Sequence, residues 1–281
     1  MSFWEQVALG ALCFGRAIRE GRRLAVWITW LPMLALQALA LLALVGAAHP
    51  LASWLMAPLL TRVSGDDALR YPQGFHRLPL LAAQSWFLAG ALLGPLCVGA
   101  AARAYADAAA GRRARAGAAL GEALRRWPSL WLAALPTALV AFGVQAGLGQ
   151  LADVRLSGPT RALLPFLGGA VQLLGQAACA YPPIVVALER RGPFPALARL
   201  PATLGRGFVP AAVVLLVLVP TVLPFDGLAP WALADAGRDL PEISAVLAAA
   251  RSVVQAAGAL LASGALAYVY LAALAPGSED A

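Results

Sequence analysis

The sequence contains no lysine; all 21 of its basic residues are arginine. This excludes a Walker-type phosphate loop, whose lysine sits on the phosphates, and Schiff-base chemistry, which needs a lysine amine as nucleophile. Histidine is nearly missing too. His49 and His76 are the only two, with Asp66 and Asp67 between them, and their spacing matches no recognised metal site. Cysteine is limited to Cys13, Cys97 and Cys179, each alone in an apolar stretch. Without CxxC spacing there is neither a disulfide framework nor a zinc knuckle, so the three read as small buried hydrophobes. The GxGxxG, HExxH, GxSxG and EF-hand patterns are also absent. No metal, no cofactor and no catalytic residue is therefore expected, and an enzymatic role is the least favoured of the readings below.

Charge is scarce as well. Only 12% of the 281 residues are charged, 61% are hydrophobic, and the mean hydropathy is +0.75. A soluble domain carries roughly 25% charged residues, and at this length its surface could not be covered by what polar residue remains. A bilayer removes that requirement. Six runs approach or exceed the roughly 20 apolar residues that a transmembrane helix needs: residues 24–47, 79–102, 129–151, 162–188, 208–225 and 245–274. Five carry no formal charge and the sixth holds one, Arg251. The expected fold is all-α, a polytopic membrane protein with about six transmembrane helices in one integral membrane domain, followed by a short disordered tail at 276–281. The first run is too long for the 7–15-residue core of a removable signal, so it reads as a signal anchor.

The arginines orient the chain. With the N-terminus inside, segments 1–23, 103–127 and 189–206 place fourteen arginines on the inner side, against seven outside when Arg251 is counted there. The acids divide equally, so the net charge of +7 lies on the inner face, as the positive-inside rule requires. Both termini then face the cytoplasm. This use of arginine outweighs nucleic-acid binding as the reason for the high pI. The Arg-only, Ala-rich composition points to a GC-rich bacterium and hence to the cytoplasmic (inner) membrane.

The chain also reads as three hairpins, each led in by a short amphipathic cytoplasmic segment that suits a helix lying in the interface: Phe3 to Arg23, Ala118 to Arg126, and Phe194 to Arg206. Each outgoing span carries a proline, Pro32, Pro136 or Pro220, expected to bend it. The first outer connection includes a short apolar stretch at 51–60 with Trp54, expected to be interfacial or re-entrant, and the segment from Asp226 to Glu242 reads as an acidic, proline-broken loop. Gly90 and Gly94 form a GxxxG pattern that permits close helix contact, and Arg103 and Asp107 are spaced to pair.

Polar residues inside spans mark the candidate site. Gln37, Gln172, Gln176, Arg251 and Gln255 are the principal ones, with Gln84 and Gln145 beside them. Gln172 and Gln176 are four apart on one helix face, as are Arg251 and Gln255. An ionisable residue inside a span is a functional hypothesis by default. These groups either line a pocket for an anionic headgroup or solute, or serve as interhelical hydrogen bonds with Arg251 snorkelling to the outer interface. The two readings lead to different proteins. One is a non-enzymatic membrane protein that organises lipid or a membrane-protein partner. The other is a transporter or flippase for an anionic or amphipathic substrate.

One element looks familiar. The stretch from Tyr181 to Arg199, through Pro182, Glu189, Gly192, Ala196, Leu197 and Arg199, resembles the span–Glu–Gly–amphipathic-helix element of uncharacterised six-helix bacterial membrane families. Those families are similar to the membrane domain attached to some glycerophosphodiester phosphodiesterases. Leu200 and Pro201 stand where the family usually continues with Ser and an aromatic residue. The resemblance implies a membrane fold and a membrane role; the phosphodiesterase catalytic domain is not in this sequence, so no activity is implied.

Overall fold

The computed structural model describes residues 1–46, 54, 57–58, 61–62, 73–152, 158–234 and 242–275. About 90% of the described residues are helical, with no strand among them. The helices are α1 (Phe3–Glu20), α2 (Leu24–Trp27), α3 (Leu31–Gly46), α4 (Gln73–Ala109), α5 (Ala116–Arg125), α6 (Trp127–Ala152), α7 (Gly158–Ala178), α8 (Pro182–Glu189), α9 (Pro193–Leu197), α10 (Leu200–Ala234) and α11 (Ile243–Val269). Six stretches are long and apolar enough to cross a membrane: Leu24–Gly46, Leu80–Ala109, Trp127–Val144, Phe166–Glu189, Leu200–Val219 and Ile243–Leu274. The chain is a multi-pass membrane protein. Helix dominates because hydrocarbon offers no partner for backbone N–H and C=O groups, and a helix satisfies them within one segment.

Local chemistry sets the ends and breaks. Ser2 Oγ accepts from the Glu5 amide at 3.3 Å while Glu5 Oε2 accepts from the Ser2 amide at 2.6 Å, a reciprocal capping box that starts α1. The first span is interrupted by a 3-10 turn at Ile28–Trp30, and Pro32 follows as the second residue of α3. Pro32 thus opens a helix, where its missing N–H costs nothing, instead of bending one as expected. Pro136 lies inside α6 as anticipated. The fourth span is broken between α7 and α8, and Thr137 Oγ1 donates to the Cys179 carbonyl at 2.9 Å at that break. Arg190 ends α8 in the left-handed region, at φ 58°.

Two expected boundaries shift. The third amphipathic segment is divided: α9 ends at Leu197, and Thr203 to Arg206 belong to the single long helix α10. That helix also runs through Asp226 to Ala234, where a loop was expected. Pro224 and Pro230 each remove one donor, but leaving the helix would release several backbone groups at once. The short apolar stretch at 51–60 lies mostly outside the described residues, although Trp54 is helical and exposed. The tail at 276–281 lies outside them as well.

The chain divides into two compact units. The first comprises Met1–Thr29, Pro95–Leu218 and Leu260–Ala281; the second comprises Trp30–Gly94 and Val219–Ala259. In the first unit, α6 packs against α5, α7, α8 and α9. Helix α1 buries Gly10, Cys13 and Ala17, three and four residues apart and so on one face. A Cβ on Gly10 would stand 2.9 Å from the Pro210 carbonyl and 3.1 Å from Val213, so glycine is what lets α1 lie against α10. Tyr105 is fully buried: its hydroxyl donates to the Ala17 carbonyl at 3.3 Å, its ring meets Tyr268 edge-on at 5.8 Å, and a Cβ on Gly264 would collide with it. Tyr181 donates to the Gly207 carbonyl at 2.8 Å.

The GxxxG pair does not form such a contact. A Cβ added to Gly94 would have nothing within 4 Å, and one added to Gly90 would meet only the end of Met33 at 3.7 Å. Many large apolar side chains are instead exposed, among them Leu39, Leu42, Leu88, Phe142 and Phe166. In water such a surface would be a liability; facing lipid, it is solvated.

Candidate functional site

The five candidate polar residues fall in different units. Gln37, Arg251 and Gln255 belong to the second unit, Gln172 and Gln176 to the first. Gln37 is 1% exposed. Its Nε2 donates to the Ala82 carbonyl at 3.2 Å and to Ser252 Oγ at 3.4 Å, and its Oε1 accepts from Ser85 Oγ at 3.2 Å. Both serines have a backbone partner as well: Ser85 shares its one proton between Gln37 and the Ala82 carbonyl at 2.8 Å, and Ser252 donates to the Ala248 carbonyl at 2.8 Å. One side chain of α3 is therefore tied to α4 and α11 with every amide proton placed. Sequence reasoning missed Ser85 and Ser252, although Ser252 is adjacent to Arg251.

Arg251 and Gln255 are half-buried on α11, one turn apart. Gln172 and Gln176 are half-buried on α7 in the same relation. Gln84 is exposed, and the side chain of Gln145 lies outside the described residues.

A second polar constellation lies in the first unit, where the sequence suggested only a pairing of Arg103 with Asp107. Arg103 Nε stands 3.9 Å from both Asp107 and Glu122, and Asp107 takes its close contact from Arg112 at 2.7 Å. Glu122 is held by Arg190 at 2.8 Å. Glu189 accepts from Arg199 at 2.5 Å, pairs with Arg191 at 2.8 Å, and accepts from the buried Tyr270 hydroxyl. Arg199 also reaches Tyr270 at 3.3 Å. Tyr270 begins a π-helical turn, Tyr270–Leu274, that closes the last span. The left-handed Arg190 turns the chain so that successive guanidiniums reach different acids.

Two of the residues quoted for the resemblance, Glu189 and Arg199, take part in this network. Glu189 and Arg199, ten apart in sequence, form its shortest ion pair. Pro182 is buried in the first turn of α8, Ala196 is buried on α9, and Gly192 precedes α9. Tyr270 has no signal in the local sequence; it is 71 residues from Arg199.

Beside the network is a recess lined by Gly99, Arg103, Ala119, Glu122, Ala123, Arg126, Leu130 and Ala187, with a volume of about 10 Å³. That is the room one water needs, too little for a lipid headgroup or metabolite to enter.

The amphipathic α1 completes this region. Its buried stripe faces protein, while Phe3, Trp4 and Ile18 are exposed along a neighbouring strip and Arg16 and Arg19 along another. Arg16 lies 4.7 Å over the Tyr268 ring. Burial pushes the Cys13 thiol up to about 11, with nearby Arg16 opposing the shift, as befits an inert packed cysteine.

Of the metal-like grouping, His49, Asp66, Asp67 and the side chain of His76 lie outside the described residues. Among the described residues no three potential ligands gather. Comparison with protein-family models, curated proteins and solved structures finds no match.

Proposed function

We propose that this chain is a non-enzymatic protein of the bacterial cytoplasmic membrane, with both termini in the cytoplasm, that organises lipids or a partner membrane protein. The observation that carries this reading is how the polar groups are used. Gln37 is consumed as a three-helix joint, and Asp107, Glu122 and Glu189 are each neutralised by arginine. Interhelical bonding of this kind is structural cement in membrane proteins. What favours this orientation is the excess of arginine in the segments assigned to the cytoplasmic side, fourteen against seven. A C-terminal fluorescent-protein fusion that fluoresces supports it; a C-terminal alkaline phosphatase fusion that is active instead refutes it.

The resemblance to six-helix bacterial membrane families is part of the proposal, supported by the meeting of Glu189 with Arg199. A second reading, a transporter or flippase for an anionic or amphipathic substrate, is favoured by one feature: Arg251 and Gln255 share a face of the last span, and a charge there is costly to keep without use.

Native mass spectrometry on wild type and Arg251→Ala, gently extracted from its own membranes, separates the two. A small-molecule adduct held by wild type and lost in the variant moves transport ahead. Adducts indifferent to the variant, or a co-purifying membrane protein, support the organising role.

A further inference from the structure

Four described acids of the first unit, Glu20, Asp107, Glu122 and Glu189, are matched to particular arginines. Glu20 pairs with Arg23 at 2.8 Å, Asp107 with Arg112 at 2.7 Å, Glu122 with Arg190 at 2.8 Å, and Glu189 with Arg199 and Arg191. Arg125 and Arg126, like Arg113 and Arg115, are not part of these pairs. They are adjacent, at the corner where α5 turns into α6, and among the described residues no carboxylate lies within 4 Å of either guanidinium. The closest acid in sequence on this corner, Glu122, is already engaged by Arg190 and Arg103. Arg125 is exposed, and Arg126 is half-buried at the lip of the water-sized recess.

Apolar surface continues from these charges. Leu124 is 60% exposed, and Trp127 and Trp131, one turn apart on α6, are 36% and 40% exposed. Only 11% of the apolar window Trp127–Val144 is buried, so this helix leaves a face open to lipid beside the one that packs on α5, α7, α8 and α9. Tryptophan is at home at the headgroup level. Arg113 and Arg115, exposed and nearby in sequence, have no aromatic residue on their C-terminal side until Trp127 itself.

We propose that Arg125 and Arg126, with Trp127 and Trp131, bind the phosphate of an anionic phospholipid whose acyl chain lies along α6. The occupant is a lipid because the charged pair leads directly onto an exposed apolar helix. It is anionic because two uncompensated guanidiniums favour a headgroup that brings no cation of its own. This inference rests on the membrane-organising reading and names its ligand class.

The test is tryptophan quenching in the full-length chain, reconstituted in vesicles doped with dibrominated phosphatidylglycerol or dibrominated phosphatidylcholine. Subtracting the quenching of Trp127→Phe/Trp131→Phe isolates the corner. The expected result is a roughly tenfold preference for the anionic lipid, abolished in Arg125→Gln/Arg126→Gln and kept in Arg112→Gln/Arg113→Gln. Circular dichroism confirms that each variant is folded, and quenching by the zwitterionic lipid confirms that the tryptophans remain in the bilayer. Equal quenching of wild type by both lipids overturns the site while leaving the membrane reading intact. Quenching by neither overturns the placement of α6 in the membrane and the organising reading with it. Loss of the preference on adding inorganic phosphate, at ionic strength matched with chloride, assigns the site to a soluble anion and also overturns the proposal.

Discussion

Replacing Gln37 with leucine tests whether the intramembrane glutamine is cement. Leucine nearly keeps the volume, so the change removes hydrogen bonds without opening a large cavity. Three bonds are lost: to Ala82, to Ser252 and from Ser85. At about 0.6 kcal/mol for each interhelical bond, the loss is about 2 kcal/mol. No orphaned hydroxyl adds to it, because Ser85 keeps Ala82 and Ser252 keeps Ala248. For a domain of this size that corresponds to a fall in Tm of roughly 4–8 °C. Thermal unfolding in a mild detergent, followed by circular dichroism, reads it directly. Gln37→Ala should fall further, since a cavity term is added. A Gln37→Leu protein as stable as wild type, but altered in ligand retention, would refute the cement argument and make Gln37 a binding residue.

Other predictions follow from particular contacts. Gly264→Ala drives a methyl group into the Tyr105 ring and should cost about 1–3 kcal/mol, whereas Gly94→Ala meets nothing and should be neutral or slightly stabilising; paired melts distinguish them. Glu189→Gln removes the carboxylate shared by Arg199, Arg191 and Tyr270. Because Arg199 is partly exposed, the cost should be about 1–3 kcal/mol, below that of breaking a fully buried pair, and proteolysis near residues 190–199 should accelerate. Cys13 should resist maleimide at pH 8 in the folded protein and react on unfolding. With its pKa raised from 9.0 to about 11, the protonated thiol contributes stability that is complete below pH 9 and erodes as pH rises towards 11.

The spans were legible because run length and hydropathy are local properties: residues 24–47 and 245–274 announce themselves without any knowledge of their neighbours. The amphipathic α1 was legible for the same reason. The Gln37 joint was half legible. A glutamine in a span stands out, but Ser85 and Ser252 do not, and nothing in the pattern of α3 says which face meets them. In water the apolar face of a helix marks the core; in lipid every face is apolar, and that marker disappears. The same loss hid Tyr270 as a partner of Glu189. The length of α10 was misread because proline was weighed as a breaker while the medium penalises a break more heavily; Pro32 was misread because nothing in the local pattern told of the 3-10 turn at Ile28–Trp30 that leaves it opening α3.

The docking of α1 has a consequence for biosynthesis. Its buried stripe rests on Pro210, Val213 and Tyr105, yet α1 leaves the ribosome well before any of them. Its capping box lets it fold at once, and it must then wait on the membrane surface while nearly two hundred residues are made. An early helix thus finds its seat late, and a chain arrested after the fourth span would have Tyr105 but not Pro210 and Val213, leaving that seat half built.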